Sequence, residues 1–261
     1  LMYGDLDEDC ILYQMGEIFG KYETGEYNKT GLVRDINVQV KRILKVATDY
    51  GFDDNLWHNY LTFFLMMSEN PFSMTCEKVG ASEGSVNALV QNDFRIFKEL
   101  FDYDFGPIEK DLGISCFSQI SDYKAIHKKD LMYNKNVSEK VRALSKTLEA
   151  AKDEKEFFDG ITGFYKDYGV GMFGLNKAFR IDEKPEGGIE FRAINNMDTV
   201  MLDDLVGYEI QKKKLVDNTE AFVQGKKANN VLLFGDSGTG KSTSIKAIVN
   251  EFYDQGLRMI E

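Results

Sequence analysis

The chain has 261 residues, 43% of them apolar and 13% aromatic, a composition that excludes a disordered polymer and is long enough for two domains with separate cores. Its formal charge of -11, from 43 acidic and 32 basic residues, argues against a broad basic face, so nucleic acid is not indicated as a partner. Three cysteines, Cys10, Cys76 and Cys116, lie far apart with neither pairing nor metal-ligand spacing, which points to a reducing compartment and a cytoplasmic protein.

At the start of the chain, the acidic stretch containing Asp5, Asp7, Glu8 and Asp9 lacks both the basic opening of a signal peptide and the Gly and closing Glu of a calcium loop. It reads as a solvated arm. The first residue is Leu1 and not Met, so the chain is expected to begin inside a longer reading frame or after processing. Val40, Ile43, Leu44, Ala47 and Tyr50 fall at helical spacing and predict a helix over 36–50 that Gly51 stops. Asp53, Asp54 and Asn55 offer an N-cap for an aromatic-rich helix over 56–69, which Asn70-Pro71 is expected to end. The apolar run at 61–67 within it is about a third of a membrane span, so no membrane is expected.

Ser82 could cap a third helix whose stripe is Val86, Leu89, Val90, Phe94, Phe97, Leu100 and Phe101. Asn136 or Ser138 opens a charged helix through about residue 152. Asp153 and Glu156 then form a capping-box pair ahead of Phe157, Phe158, Ile161, Phe164, Tyr165 and Tyr168, with Gly169 as the stop. Short strands at 179–181 and 189–194 flank the turn sequence Lys184-Pro185-Glu186-Gly187-Gly188 and predict a hairpin near 179–194. The stretch 195–198 reads as a linker. The boundary is therefore placed near 197, with a mostly helical domain over 1–197 and a second domain beginning at 198.

Within the second domain, Val231, Leu232, Leu233 and Phe234 form the kind of apolar run that is buried on both faces of a parallel sheet. Gly235-Asp236-Ser237-Gly238-Thr239-Gly240-Lys241-Ser242 follows at once and matches the phosphate-binding loop pattern. Its glycines allow positive φ angles, which turn backbone N–H groups inward as a nest for phosphates. The following helix adds its N-terminal dipole. Lys241, the candidate catalytic residue, is expected to reach the β and γ phosphates, Ser242 to bind magnesium, and Thr243 to donate to the α phosphate. Ile245, Ile248, Val249 and Phe252 give that helix a buried face, Gly256 ends it, and 257–261 reads as a strand. The expected cofactors are ATP and Mg2+. The fold class is α/β, a P-loop NTPase core represented by its first strand, loop, helix and strand, preceded by a mostly α-helical N-terminal domain.

The neighbourhood of the loop carries a resemblance. Gly207-Tyr208-Glu209-Ile210-Gln211-Lys212, Asn218-Thr219, Ala228-Asn229-Asn230-Val231-Leu232-Leu233 and Gly256-Leu257-Arg258-Met259-Ile260-Glu261 resemble an uncharacterised bacterial family of AAA+-like ATP-binding proteins, whose members carry a helical region ahead of the ATPase core. The likeness is strong over 202–261 and fainter over 168–180. It implies ATP as the nucleotide, carries over Lys241 and Ser242, and places Val206-Gly207 against the adenine. Asp236-Ser237 departs from the Pro-Pro common in AAA+ loops, which alters loop stiffness more than phosphate contacts.

Gly169-Val170-Gly171-Met172-Phe173-Gly174 fits a dinucleotide pattern, but a helix precedes it where that fingerprint needs a strand, so it reads as a structural turn. His58 and His127, the two histidines, have no ligand-spaced neighbours. The acidic pair that holds magnesium and orients water in such ATPases is not found in these residues, so hydrolysis is expected of a longer protein. The sequence thus predicts an AAA+ type ATPase acting on an unknown protein partner through its N-terminal domain, with homo-oligomers in view. The alternatives are a nucleotide-binding switch or scaffold with little hydrolysis, a small-molecule kinase, and a replication-type remodeller that would need a basic patch.

Overall fold

Twelve α-helices and three short strands make up the regular structure of the described residues, which are 1–81, 84–125, 135–195 and 197–261 of this computed structural model. They fall into two units, Leu1–Lys166 and Asp167–Glu261.

The first unit holds α1 (Ile11–Thr24), α2 (Lys29–Tyr50), α3 (Leu56–Met67), α4 (Pro71–Val79), α5 (Ser85–Phe101), α6 (Gly106–Leu112), α7 (Cys116–Ser121), α8 (Lys135–Glu149) and all but the end of α9 (Glu154–Tyr168). Local capping explains most of the boundaries. Helix α2 starts earlier than the predicted 36 because the Asn28 side chain accepts from Gly31 N, and it stops where Gly51 turns left-handed at φ 70°. Asn55 caps α3 by accepting from His58 N at 3.0 Å. Asn70 does more than end that helix. Its Oδ1 accepts from Phe72 N and Ser73 N while Ser73 Oγ accepts from Asn70 N, so the Asn-Pro pair opens α4 with Pro71 in the first turn. At α9, Asp153 accepts from Glu156 N at 2.8 Å, and the Glu156 carboxylate accepts from Lys152 N at 2.9 Å. Ser82, the expected cap of α5, lies outside the described residues.

Helix α3 is the centre of this unit. It buries Leu56, Trp57, Tyr60, Leu61, Leu65 and Met66 and packs on α2, α5, α7 and α8. The last carbonyls of α5 would otherwise lack partners. Trp57 Nε1 donates to Leu100 O at 2.9 Å and His58 Nε2 donates to Phe101 O at 2.8 Å. From α9, the Tyr165 hydroxyl donates to Leu65 O at 2.7 Å and is bonded to the Tyr3 hydroxyl at 2.8 Å. Helix α5 buries Val90, Phe94, Phe97 and Phe101, each contributing about 1.5–3 kcal/mol by burial. Leu89 of the predicted stripe is exposed instead. The acidic opening is solvated as expected.

The second unit contains α10 (Gly171–Leu175), β1 (Ala178–Glu183), β2 (Ile189–Ala193), a 3-10 turn at Leu202–Asp204, α11 (Glu209–Val223), α12 (Lys241–Phe252) and β3 (Met259–Ile260). The predicted hairpin is present, with Phe179 opposite Ala193 and Glu183 opposite Ile189. Strand β3 adds in parallel on the other side of β1, giving the order β2-β1-β3. That pairing draws the hairpin into the second unit, so the boundary expected near 197 falls inside it. Met197 and Asp198, expected to lie in a linker, are held in this unit too, Met197 against the α12 cluster. Asn250 Nδ2 donates to Asp198 O and Val200 O, and Lys246 pairs with Asp198 at 2.6 Å, which lays this stretch along α12.

Helix α12 buries Ala247, Ile248, Val249 and Phe252 against Leu202, while Ile245, predicted to be buried, is 41% exposed. A larger departure concerns Val231, Leu232, Leu233 and Phe234. They form no strand, no described strand pairs with them, and Leu232 and Phe234 are 82% and 87% exposed. The run is apolar enough to be buried on both faces, but the sheet order β2-β1-β3 places no neighbour beside it.

Candidate nucleotide site

The glycine-rich loop stands at the head of α12, and its backbone is held in conformations that side chains resist. Gly235, Gly238 and Gly240 have φ of 146°, 79° and 81°. Across this loop the Lys241 ammonium folds back to donate to Gly235 O at 2.9 Å and Asp236 O at 2.6 Å, with Thr239 Oγ1 at 3.5 Å. Thr239 in turn donates to Asp236 O at 2.8 Å. Ser244 N and Oγ both donate to Gly240 O at 2.8 Å, closing the first turn of α12. A cation curled over a concave backbone loop at a helix N-terminus is an arrangement suited to anions.

Beside the loop lies an open cavity of about 500 Å³ with two walls. One is the turn Leu205, Val206, Gly207 and Tyr208 with Gln211, Lys212 and Leu215 of α11; the other is Leu232, Leu233 and Phe234. The turn enters α11 through two successive left-handed residues, Gly207 at φ 85° and Tyr208 at φ 58°. For tyrosine that conformation costs of order 1 kcal/mol. Lys212 steadies the turn by donating to Leu205 O at 2.8 Å while paired with Glu209 at 2.9 Å. Val206 is 94% exposed, so its apolar side chain is open to a ligand.

Of the residues singled out by sequence, Val206, Gly207, Gly238, Thr239, Gly240 and Lys241 line this one cavity. Gly235 and Asp236 are joined to it through the Lys241 ammonium. Ser237 and Ser242 are exposed and Thr243 is half-buried, and none of the three lines the cavity. The lining residues that sequence reasoning did not assign to the site are Leu205, Tyr208, Lys212, Leu232, Leu233, Phe234 and Ser244, together with Gln211 and Leu215. The signal for the last two was available, since residues four apart share a helix face.

Lys241 is a donor of the kind a phosphate group takes, and in this structure its ammonium is held by the carbonyl oxygens of Gly235 and Asp236. Ser242 stands at the second position of α12, where its hydroxyl could serve a magnesium ion that the phosphates mainly hold. Among the described residues no group of three or more His, Cys, Asp or Glu is arranged for a metal.

The other motif, Gly169 to Gly174, is packed shut. Arg258 donates to Tyr168 O, Phe173 O, Tyr253 O and Leu257 O at 2.6–3.2 Å and stacks over the Tyr253 ring at 4.1 Å. The Tyr253 hydroxyl donates to Gly174 O at 3.0 Å. His58 is buried in the helical unit, and His127 lies outside the described residues. No described helix is long and apolar enough to cross a membrane.

Residues 175–261 match a family model described as "Protein of unknown function (DUF815)", a stretch that runs from the end of α10 through the loop to β3. No curated protein and no solved structure matches the chain.

Proposed function

We propose that the second unit binds ATP with Mg2+ through the loop 235–242, as the opening part of an AAA+-like P-loop ATPase. The observation that carries this reading is the Lys241 ammonium, folded across three positive-φ glycines at the head of α12 beside a cavity of about 500 Å³. In the bound state Lys241 leaves the carbonyl oxygens of Gly235 and Asp236 for the β and γ phosphates. Ser242 supplies a magnesium ligand, Thr243 donates to the α phosphate, and Val206-Gly207 meets the base. The fold proposed is a P-loop NTPase core preceded by helices, in a cytoplasmic protein. The helical unit is the candidate contact for a protein partner, and self-association is proposed as the way such subunits act. A switch that binds nucleotide with little hydrolysis, or a small-molecule kinase, are the alternatives on the same loop.

Calorimetric titration with ATP tests the reading. The wild-type chain should bind ATP more tightly with magnesium than after its removal by chelation, and Ser242→Ala should erase most of that difference. Lys241→Ala should abolish measurable binding. Equal Mg-ATP affinity in wild type and Lys241→Ala would falsify the assignment.

A further inference from the structure

Between the two walls of the cavity there is one hydrogen-bonded strut whose purpose the site as described does not use. Asn218 Nδ2 donates to Asn229 O at 2.9 Å, and Asn218 Oδ1 accepts from Asn229 N at 2.8 Å. A single side-chain amide thus satisfies both backbone groups of one residue, the pairing that a neighbouring strand would otherwise provide.

The strut is placed where it matters to the cavity. Gln211, Leu215 and Asn218 follow one another at steps of four and three on α11, so they share a face. Gln211 and Leu215 line the cavity, and Asn218 continues that face past its edge. Asn229 stands just ahead of Leu232, Leu233 and Phe234, the opposite wall, which runs straight into Gly235. That wall has no strand neighbour to fix it. Lys226 N donates to Ala221 O at 2.8 Å where the chain leaves α11, and between there and the loop the two Asn218 bonds are what tie the backbone to α11 among the described hydrogen bonds. The next anchored points are in the loop itself, where Lys241 grips Gly235 and Asp236.

We propose that Asn218 is a positioning residue of the nucleotide site, its amide clamping both backbone groups of Asn229 so that the base-facing walls keep their spacing. This rests on the reading of the loop as a triphosphate site. The phosphates need only the loop and α12, which carry their own bonds. The nucleoside needs both walls, and those are joined through Asn218. Losing the clamp therefore weakens binding of the nucleoside end and leaves the phosphate end alone.

The experiment compares Mg-ATP with Mg-tripolyphosphate, titrated into the full chain carrying Asn218, Asn218→Ala or Asn218→Asp, with melting curves taken on each. For Asn218→Ala the expected result is a loss of ATP affinity of about tenfold, the scale of two net hydrogen bonds, with tripolyphosphate affinity unchanged. Asn218→Asp keeps the acceptor for Asn229 N and should recover part of the loss. A general loosening of the unit would weaken both ligands together, and that outcome overturns the inference, as does an unchanged ratio in Asn218→Ala. If the wild-type chain binds neither ligand, the reading of the site fails, and this inference with it; if wild type binds both and the ratio never moves, only the clamp fails.

Discussion

A Cβ atom placed on Gly174 would stand 2.5 Å from the carbonyl oxygen of Gly169, a distance at which backbone must move. The two glycines close a turn that Arg258 and Tyr253 then bolt to the end of α12. Nothing in it leaves room for a pyrophosphate, although the pattern resembles a dinucleotide fingerprint.

Gly174→Ala should accordingly lower stability by about 1–3 kcal/mol, the usual cost of overpacking. Gly163→Ala is the control, because a Cβ there meets nothing within 4 Å in the middle of α9. That change should be neutral or stabilising by up to about 1 kcal/mol, since alanine is the better helix former. Urea denaturation followed by far-ultraviolet dichroism measures both. Equal, small effects would mean that the 169–174 turn is open in solution, and titration with NADH would then be worth making.

What the sequence made legible, and what it hid, follows from how local the causes are. Gly51, Asn55, Asp153 and the Gly187-Gly188 turn act within a few residues, and each helix end or hairpin they predict is found. The loop glycines are equally local. Asn70-Pro71 was ambiguous, because the same pair that stops one helix caps the next, and only the Ser73 bond decides between them. The reach of β3 to β1 is a long-range pairing that no periodicity announces, and it moves the hairpin from one unit to the other. Hydropathy at 231–234 reports how much burial a segment would gain, not whether a partner surface stands beside it.

Acid should weaken the helical unit through His58. Its Nε2–H is committed to Phe101 O, its ring stacks on Phe101 at 4.7 Å, and its Nδ1 lies 3.8 Å from the Glu149 carboxylate, beyond hydrogen-bond distance. Burial holds the imidazole below its ordinary value of 6.5, outweighing the Phe101 carbonyl and the carboxylates of Glu149 on α8 and Asp102 at the end of α5, which pull the other way. With the folded-state value lowered, the unfolded chain takes up the proton first. Stability is then complete above about pH 6.5 and declines as pH falls below it. Trp57, the single tryptophan, neighbours His58 in the sequence and is buried, so its fluorescence reports this unit. Urea midpoints from that signal should fall between pH 7 and pH 5.5 in wild type and change less in His58→Asn. A slope of the same size in both chains would assign the effect to other groups.

The exposed run 231–234 gives the last prediction, because burial and exposure there lead to opposite numbers. If Leu232 and Phe234 sat in a two-sided sheet, as their hydropathy suggests, truncating them would cost about 2–5 kcal/mol each. With 82% and 87% of their surfaces in water, Leu232→Ser and Phe234→Ser should each change stability by less than about 0.5 kcal/mol. Phe252→Ala supplies the scale of a truly buried loss in the same unit, about 3–5 kcal/mol, since Phe252 is buried with Ala247, Ile248 and Val249 of the same helix and with Leu202. Far-ultraviolet dichroism in urea compares the three. Both residues also line the cavity, so their loss should reduce ATP affinity even where stability is untouched, while Mg-tripolyphosphate binding stays. Destabilisation as large as that of Phe252→Ala would show that the segment is covered in solution and that the strand predicted from its sequence forms against a surface these residues do not provide.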